Sequence, residues 1–351
     1  MIVYLAMLTF ICVLAMGSLF LPKHMGSVRG MISLTGYTVM CLFIGLRDHV
    51  GGDWEPYSEL FSAIGRLPFI VVLIIVEPLY GLCNRLVYMA GGDIHLVNLI
   101  CATILLVCLF NFSRLVDMDS NVLLFIAAPY LLFVVGMGYT RQSVAVGLIL
   151  NGIGYLRHGK EKTFYLFACV ATLFHYSAIV LILLWWVNNF KRAAALALAL
   201  AAVSPVLYSI ILASDKYSIY VNNDPSIQSH GVWSRILIIL LALFVVMAQK
   251  LHWAKESQLR RMIIRGAITL GLIAVLSLFL STIADRICLY LFFIYVLAIG
   301  SVIRYARLPF KYLSLYFVIC LSYGIFFVWF GLSNFASAAW FPYGMSLYGN
   351  S

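Results

Sequence analysis

Charged residues are concentrated in one short stretch of the chain, GLRDHVGGDWEPY, which runs from Gly45 to Tyr57. Charged residues make up only 10% of the chain, yet this stretch contains Arg47, Asp48, Asp53 and Glu55. Arginine presents a planar fork of donors that suits the oxygens of an anion, and a carboxylate can accept a proton. The stretch therefore predicts a site that binds a charged substrate.

Three arginines stand at the predicted ends of apolar segments: Arg47, Arg141 in GYTRQSVAVG, and Arg286 in ADRICLY. A charge at the centre of a membrane helix costs about 2.5–3.5 kcal/mol, so ionisable residues near the apolar interior need a reason. Three guanidinium groups that converge on one cavity would suit an anion such as a diphosphate. The alternative is that each arginine reaches to the membrane surface or pairs with an acid such as Asp48 or Asp285.

Two residues are candidates for a general base. An imidazole titrates near neutral pH, so His175, in LFHYSAIV, could take a proton from a sugar hydroxyl. The alternative is a hydrogen-bonded residue that interrupts a helix. Asp53 competes for the same role, although a helix N-cap would explain it equally well. Tyr57 follows Asp53 by one helical turn and would share its face.

The composition places most of the chain in lipid. The residues are 64% hydrophobic and the mean hydropathy is +1.02, far from the values of globular proteins. The first apolar run, residues 1–21, has neither a basic start nor a small-residue cleavage site, so we interpret it as a membrane span. With no internal repeat and no linker, the sequence predicts an all-α polytopic membrane protein with a single domain, 1–351.

About twelve segments, with a range of 11–13, are apolar enough to be membrane helices. They lie near residues 2–21, 31–46, 94–112, 120–137, 140–156, 162–174, 177–190, 193–213, 232–249, 266–283, 287–303 and 312–331. The sixth and seventh are short and are predicted to form a re-entrant pair. Their turn, at His175, should point to the same side as Arg141.

The distribution of charge predicts which side of the membrane each loop occupies. With an outer amino terminus, one set of loops contains sixteen of the 23 cations, and the other side keeps nine of the 13 acids. By the positive-inside rule the first set is cytoplasmic. The outer side then comprises residues 47–93, a loop at 214–231, a turn at 284–286 and the tail from about 332.

The outer segment 47–93 is predicted to contain two helices that lie in the membrane interface. The first starts at Asp53 and has an apolar stripe of Trp54, Tyr57, Phe61 and Ile64. The second starts at Glu77–Pro78, has a stripe of Leu79, Leu82, Leu86 and Met89, and ends at Gly91–Gly92.

No set of side chains on the predicted outer side has the spacing of a metal site. This side lacks a DxD pair and a His/carboxylate set, and the eight cysteines show no CxxC spacing. The net charge is +10, but the basic residues lie in short loops and no aromatic RNA-binding motif accompanies them. We therefore expect no metal, no cofactor and no nucleic-acid partner, and cysteines that pack as small apolar residues.

The stretch GLRDHVGGDWEPY resembles the arginine–x–x–valine–glycine–x–aspartate–x–x–x–tyrosine signature of the EpsG-like and Wzy-type polysaccharide polymerases. Further features of that family follow in the same order along the chain. They are Glu77, Pro78 and Tyr80; Arg141, Gln142 and Ala145; Phe174, His175, Ser177 and Ala178; Arg286 and Tyr290; and Pro342–Tyr343. The resemblance covers residues 47–343, which is most of the chain.

The resemblance implies an enzyme of the bacterial inner (cytoplasmic) membrane that joins oligosaccharide repeat units carried on undecaprenyl diphosphate. The reaction would take place on the outer leaflet, in O-antigen, capsule or exopolysaccharide assembly, and the fold would be akin to the C-type membrane glycosyltransferases. An inverting, metal-independent transfer is expected, with the diphosphate held by the three arginines and His175 or Asp53 as base. The remaining site residues would position the substrate: Tyr57, Glu77, Gln142, Tyr290 and Tyr343. A chain-length regulator protein is an expected partner.

Three other classes of membrane protein are weighed against a polymerase. A flippase for lipid-linked oligosaccharides would need cations accessible from both leaflets and signs of repeat symmetry. A membrane acyltransferase would also use an intramembrane histidine but would need an entrance for an acyl carrier. A ligase that transfers finished polymer is the closest alternative in chemistry. Incubation of the purified protein with a lipid-linked repeat unit separates these classes, because only a polymerase forms a ladder of products.

The predicted orientation can be tested with two single cysteines, one in each class of loop. A cysteine in place of Ser226, in the predicted outer loop 214–231, should react with an impermeant thiol reagent added to intact cells. A cysteine in place of Gln258, on the predicted cytoplasmic side, should react only after the cells are opened. The reverse labelling pattern would show that Arg47 and Arg141 face the cytoplasm.

Overall fold

The structure is a computed structural model that describes residues 1–22, 24–186, 191–192, 195, 229, 231–248, 257–305 and 310–346. These residues are almost entirely helical. The helices are α1 (Ile2–Phe20), α2 (Gly26–Gly45), α3 (Trp54–Arg66), α4 (Phe69–Ile75), α5 (Pro78–Met89), α6 (Ile94–Leu115), α7 (Ser120–Ala127), α8 (Thr140–Arg157), α9 (Glu161–Phe174), α10 (Ile179–Trp186), α11 (Val232–Ala248), α12 (Ser257–Leu276), α13 (Ser281–Cys288), α14 (Phe292–Tyr305), α15 (Phe310–Leu332) and α16 (Asn334–Ala339). A π-helical segment, Ala128–Gly136, continues α7, and two short strands, β1 (Arg47–Asp48) and β2 (Gly344–Met345), pair with each other.

Several of these helices have the length and composition of membrane spans. Within the described residues, five helices qualify: Ile2–Phe20, Gly26–Gly45, Ile94–Leu115, Ser281–Ile303 and Tyr312–Leu332. Three shorter apolar helices accompany them: Ser120–Gly136, Tyr176–Trp186 and Val232–Ala248. The prediction of an all-α membrane protein is confirmed. The count of about twelve stays a prediction, because the predicted span 193–213 and loop 214–231 lie outside the described residues, apart from 195, 229 and 231.

The chain forms two compact units. The first combines Met1–Tyr176 with Val302–Ser351, and the second is Ser177–Ser301. The first unit contains most of the predicted site residues, among them Arg47, Glu77 and Arg141. The second contains Arg286 and Tyr290.

The first predicted helix of segment 47–93 is confirmed as α3. Its buried residues include the whole predicted stripe of Trp54, Tyr57, Phe61 and Ile64. Asp53 occupies the N-cap position, as predicted, but its side chain forms no capping hydrogen bond. Capping therefore does not account for the aspartate at this position, and its functional interpretation stays open.

The second predicted helix is confirmed as α5, and its predicted apolar stripe lies on the face that points away from the protein. The buried residues are Tyr80, Gly81, Asn84 and Val87, whereas the predicted stripe is partly or largely exposed, up to 69% for Met89. In a membrane protein the polar face of a helix can turn inward, because lipid is a better environment for leucine than for asparagine. The helix ends at the predicted glycines, and Gly91 adopts a positive φ of 74°.

The predicted boundary between the tenth and eleventh spans is wrong. The sequence places a span at 266–283 and a turn at 284–286, whereas α12 ends at Leu276 and α13 begins at Ser281. Residues 284–286 are therefore helical. The prediction treated the charged pair Asp285–Arg286 as the mark of a loop, but Asp285 forms an ion pair with Arg235 of α11, so its charge can lie within a buried helix.

The predicted interruption of the sixth and seventh segments at His175 is confirmed. Helix α9 ends at Phe174, and His175 follows with extended backbone angles of φ −157° and ψ 117°. A short 3₁₀ turn, Tyr176–Ala178, leads into α10. The imidazole is therefore held at a helix end and not along a continuous helix.

Arg47 joins four parts of the first unit. The last carbonyls of a helix have no partner within it, and the Arg47 Nη1 donates to the Ile44 carbonyl at the end of α2, at 2.7 Å. The Nε donates to the Val50 carbonyl at 3.1 Å. The Nη2 donates to Asn98 of α6 at 3.3 Å and to Thr140 of α8 at 2.8 Å.

The carboxyl-terminal segment completes the same region. The Tyr343 hydroxyl donates to the Phe43 carbonyl at 2.8 Å, and its ring stacks on the Phe43 ring with the centroids 4.4 Å apart. Beside it, Gly344–Met345 pairs antiparallel with Arg47–Asp48. The two ends of the predicted site region, which are almost 300 residues apart in sequence, are therefore adjacent in space.

Gly51 and Trp340 each form a further contact of these segments. The Gly51 amide donates to the Ala339 carbonyl at 2.8 Å, and Gly51 has a φ of +109°. A Cβ at this position would collide with the Met137 carbonyl, so only glycine fits. The fully buried Trp340 ring donates its Nε1 hydrogen to the Phe133 carbonyl at 2.7 Å.

Replacement of Arg47 by methionine should destabilise the protein. Methionine has a similar volume but no donors, so the acceptors around Arg47 would lose their partners, at a cost of roughly 3 kcal/mol or more. The apparent melting temperature in detergent should fall by several degrees. Arg66→Met is the matched control, because Arg66 is exposed at the end of α3, and it should change stability by less than about 0.5 kcal/mol. Unchanged stability of Arg47→Met would contradict a structural role for this guanidinium.

Candidate active site

A buried carboxylate connects two of the predicted site residues. The Glu77 Oε2 accepts a hydrogen bond from the Arg141 Nη1 at 2.6 Å, and the Glu77 Oε1 lies 3.1 Å from the His175 Nδ1. Glu77 is 6% exposed and His175 is 8% exposed. His175 and Arg141 are therefore neighbours through Glu77, which agrees with the prediction that the turn at His175 points to the same side as Arg141.

Each of these three side chains lies at the end of a helix. Glu77 is the N-cap residue of α5, where Pro78 begins the helix and fixes its first turn. Arg141 is the second residue of α8. His175 follows the last residue of α9. Helix ends have backbone groups without helical partners, so a polar cluster is favoured where several of them meet.

Two tyrosines orient the Arg141 guanidinium. Its Cζ lies 5.2 Å from the ring centroid of Tyr57 and 5.6 Å from that of Tyr80, within the range of cation–π attraction. The Nε also approaches the Tyr57 hydroxyl at 3.5 Å. The side chain is 23% exposed, and its Nη2 donates to no residue in the part of the chain that the structure describes. Arg141 can therefore bind an anion without breaking its contact with Glu77.

The charge state of Glu77 follows from its surroundings. Burial alone raises the pKa of this carboxyl, but the hydrogen bond from His175 and the positive charge of Arg141 lower it to about 2, from an ordinary value of 4.5. Because the folded-state pKa is the lower one, the ionised carboxylate stabilises the fold above pH 4.5. That stabilisation is lost as the pH falls from 4.5 towards 2.

The ionised carboxylate sets the tautomer of His175. A carboxylate accepts hydrogen bonds and cannot donate one, so the neutral imidazole places its hydrogen on Nδ1, which faces Glu77. The basic lone pair is then on Nε2. This is the form in which a histidine can accept a proton from a substrate hydroxyl.

Arg47 is at the same end of the first unit, but it is 1% exposed. Burial lowers the pKa of its guanidinium to about 10, so the group stays charged at neutral pH. The described residues place carbonyl, amide and hydroxyl oxygens around it, and its Cζ lies 5.8 Å from the Trp54 ring centroid. The sequence predicted contact with a diphosphate, whereas in this structure the donors of Arg47 are directed at the protein.

The other predicted residues of the first unit differ in accessibility. Gln142 follows Arg141 and is 2% exposed. Tyr57 is buried against Arg141, and Tyr343 donates its hydroxyl hydrogen to the Phe43 carbonyl. Asp53 lies one turn before Tyr57, at the start of α3, and is half-buried. Of these residues, Tyr57 contacts the Arg141–Glu77–His175 cluster, through Arg141.

The second unit contains the remaining predicted residues. Arg286 is half-buried on α13. Tyr290 lies one turn further on, and its hydroxyl oxygen is 2.9 Å from that of Ser177. Both residues belong to the predicted family pattern. The adjacent Asp285 forms an ion pair with Arg235 of α11.

Sequence reasoning missed three aspects of this arrangement. It treated Glu77 as a substrate-positioning residue and did not foresee that the carboxylate links Arg141 to His175. It also gave Tyr80 no role beyond the family pattern, and it left out Arg235. The signal for Glu77 was present, since an acid directly before a proline in an apolar segment has to be held by cations or water. Arg235 lies in the predicted span 232–249 and carried the same signal, which the prediction from sequence did not use.

Comparison with known proteins agrees with the resemblance seen in the sequence. The model of the EpsG family matches residues 30–345, which is nearly the whole chain. No curated protein and no solved structure gives a match. The matched range contains Glu77, Arg141, His175 and Arg286. The chain therefore belongs to the EpsG family, a family of Wzy-like polysaccharide polymerases.

Proposed function

We propose that this protein joins oligosaccharide repeat units carried on undecaprenyl diphosphate, at the outer leaflet of the bacterial inner membrane. Membership of the EpsG family supports a polymerase that acts on lipid-linked sugars. The transfer is inverting and needs no metal: a terminal hydroxyl of one repeat unit attacks the anomeric carbon of another, and the lipid diphosphate leaves. A chain-length regulator protein is a proposed partner.

The observation that carries the proposal is the Arg141–Glu77–His175 cluster. It combines a partly exposed guanidinium with an imidazole whose Nδ1 faces a carboxylate, so that Nε2 is the nitrogen that can accept a proton. The first suits a leaving group with several negative oxygens, and the second suits an acceptor hydroxyl that must lose a proton. Glycosyl transfer from a lipid diphosphate requires both functions.

In the proposed mechanism, Arg141 binds a phosphate oxygen through its Nη2 and stabilises the charge that develops as the glycosidic bond breaks. The Glu77 carboxylate holds the other side of the same guanidinium at 2.6 Å, and the two tyrosine rings prevent it from turning. The guanidinium is therefore oriented before the substrate arrives, which lowers the entropic cost of binding.

His175 acts as the base. As the acceptor hydroxyl attacks, its proton moves to the imidazole Nε2, and the resulting imidazolium is stabilised by the ionised Glu77 at 3.1 Å from Nδ1. Glu77 stays ionised throughout. Asp53 is the alternative base, and its place at the start of α3, one turn from Tyr57, keeps it in the proposal.

The other predicted residues have supporting roles. Arg47 positions the end of α2 and the start of α8, because its donors reach Ile44 and Thr140; this replaces the direct contact with diphosphate that the sequence predicted. Arg286 is proposed to bind the diphosphate. Gln142, Tyr290 and Tyr343 are proposed to position substrate groups or the arginines.

The alternatives differ from a polymerase in what they release. A flippase would move the lipid-linked unit without breaking a bond, and a ligase would transfer finished polymer only once. Incubation of purified protein with a lipid-linked repeat unit should give a ladder of oligomers and free lipid diphosphate. A product of fixed size would favour a ligase. If the folded, purified protein cleaves no bond of the lipid-linked repeat unit, the proposal is contradicted.

The role of Glu77 predicts that its charge matters more than its shape. Glu77→Gln keeps the size of the side chain but removes the negative charge that pairs with Arg141 and stabilises a protonated His175, so activity should fall by about 10²-fold or more, as it should for His175→Ala. Lipid-linked substrate should accumulate while protein levels stay normal. Glu59→Gln is the control, since Glu59 is exposed on α3, and it should behave as wild type.

Polymer synthesis at wild-type level by Glu77→Gln would show that the pair of Glu77 and His175 is not part of the reaction. If His175→Gln keeps its activity while Asp53→Asn loses it, Asp53 is the base.

The role of Arg141 depends on the planar fork of the guanidinium. Arg141→Lys keeps the charge but loses the second donor and the flat face that stacks on Tyr57, so it should lose almost as much activity as Arg141→Ala. The Kd for inorganic diphosphate should rise in both variants. A fully active Arg141→Lys enzyme would mean that only the charge of this residue is used.

A further inference from the structure

A groove lies on the surface of the first unit, between the membrane-spanning helices α2 and α6. Its volume of about 360 Å³ is within the range of sites for small molecules. On α2 the groove extends from Gly30 to Leu42, so it follows about 18 Å of the helix. That is more than half of the ~30 Å hydrocarbon core of a membrane. The groove is therefore long enough for a hydrocarbon chain that runs along a spanning helix.

The walls of the groove are almost entirely apolar. Three of the hydroxyls along it, those of Ser33, Tyr37 and Thr103, donate to backbone carbonyls of the protein at 2.7–3.0 Å. Leu34 of α2 and Val107 of α6 also line the groove, and they are 70% and 61% exposed. The groove therefore opens towards lipid and suits a hydrocarbon, because it has few polar atoms for any other ligand.

The α2 side of the groove is notched. Small side chains interrupt a row of large ones: the small ones are Ser33, Thr38 and Cys41, and the large ones are Leu34, Tyr37 and Leu42. A chain with regularly spaced methyl branches can place them in such notches, whereas a straight acyl chain leaves the notches unfilled. Within lipid, close packing and not the hydrophobic effect decides which groups associate. The shape of this wall therefore favours a branched chain such as a polyisoprenoid.

The groove lies between two helices that Arg47 joins at one end. Its last residue on α2, Leu42, is two residues before Ile44, whose carbonyl accepts a hydrogen bond from Arg47 at 2.7 Å. The same guanidinium donates to Thr140 at 2.8 Å, and Arg141 is the next residue. One end of the groove is therefore at the end of the first unit that contains the proposed diphosphate-binding arginine.

We propose that the groove between α2 and α6 binds the isoprenoid tail of the lipid-linked substrate. The inference rests on the proposed function, which supplies a lipid carrier whose diphosphate is held by Arg141. A bound headgroup keeps its own tail near the groove at a high effective concentration. The tail therefore has an advantage over the surrounding phospholipids, although both are apolar. It contributes to affinity and to the choice of carrier, and it takes no part in the transfer of the sugar.

The position of the tail can be mapped with the photo-crosslinking residue p-benzoylphenylalanine in place of Val107. The same residue in place of Val13 is the matched control, because Val13 is 63% exposed on the spanning helix α1, outside the groove. In nanodiscs of phosphatidylglycerol, radiolabelled undecaprenyl diphosphate should label the protein about tenfold more strongly from position 107 than from position 13. Unlabelled undecaprenyl diphosphate should abolish the difference. Equal labelling from the two positions would overturn the proposal, since the groove would then hold phospholipid only.

A bulky side chain in the groove should weaken the use of a long carrier. Val107→Trp should raise KM for an undecaprenyl-linked repeat unit by about fivefold, with kcat and the Kd for inorganic diphosphate unchanged. A repeat unit on a geranyl carrier, whose tail is too short to follow the groove, should be used equally well by Val107→Trp and wild type. Val13→Trp should behave as wild type with both substrates.

Equal effects of Val107→Trp on the long and the short carrier, or no effect on either, would contradict a tail-binding groove. If Val107→Trp does not fold, the crosslinking experiment decides. Crosslinking uses undecaprenyl diphosphate alone and requires no reaction, so the two proposals can fail separately. Selective labelling from position 107 by a protein that forms no ladder supports the groove and contradicts the polymerase. A ladder together with equal labelling from positions 107 and 13 contradicts the groove only.

Discussion

The first unit depends on a guanidinium with almost no access to solvent. In a membrane, backbone groups outside helices and strands must find partners within the protein. Arg47 provides such partners at the end of α2 and in the following turn, through Ile44 and Val50, and also reaches Asn98 on α6 and Thr140 on α8. One side chain therefore brings together the segments from which the candidate site is built.

The candidate site also depends on a buried charged side chain that finds its partners within the protein, in this case a carboxylate. Glu77 is buried, and two basic groups from two other helices face its two oxygens. With a neutral imidazole, the charges of Glu77 and Arg141 cancel, so the cluster can be buried at moderate cost. The exposed part of Arg141 still offers a donor to an incoming anion. In the proposed mechanism, a proton taken up by His175 would make the cluster positive as the diphosphate leaves, which is the charge that this step needs.

Most of the residues that carry the resemblance to the EpsG family lie at helix ends. Arg47 follows α2, Glu77 precedes α5, Arg141 starts α8 and His175 ends α9. A helix within a membrane has few free backbone groups along its length, so helix ends are where polar chemistry is accessible. The paired segments Arg47–Asp48 and Gly344–Met345 close this region across nearly the full length of the chain.

The sequence by itself determined the membrane class, the helices around the site and the break at His175, because apolar composition, helix-start signals and charge are local properties. It also predicted the apolar stripe of α3 that contains Trp54 and Tyr57. It could not determine which face of α5 is buried, since leucine is stable against either lipid or protein. The partners of charges were likewise decided by the tertiary structure: Glu77 with His175, and Arg235 with Asp285, are 98 and 50 residues apart. Only the packing of helices brings such groups together.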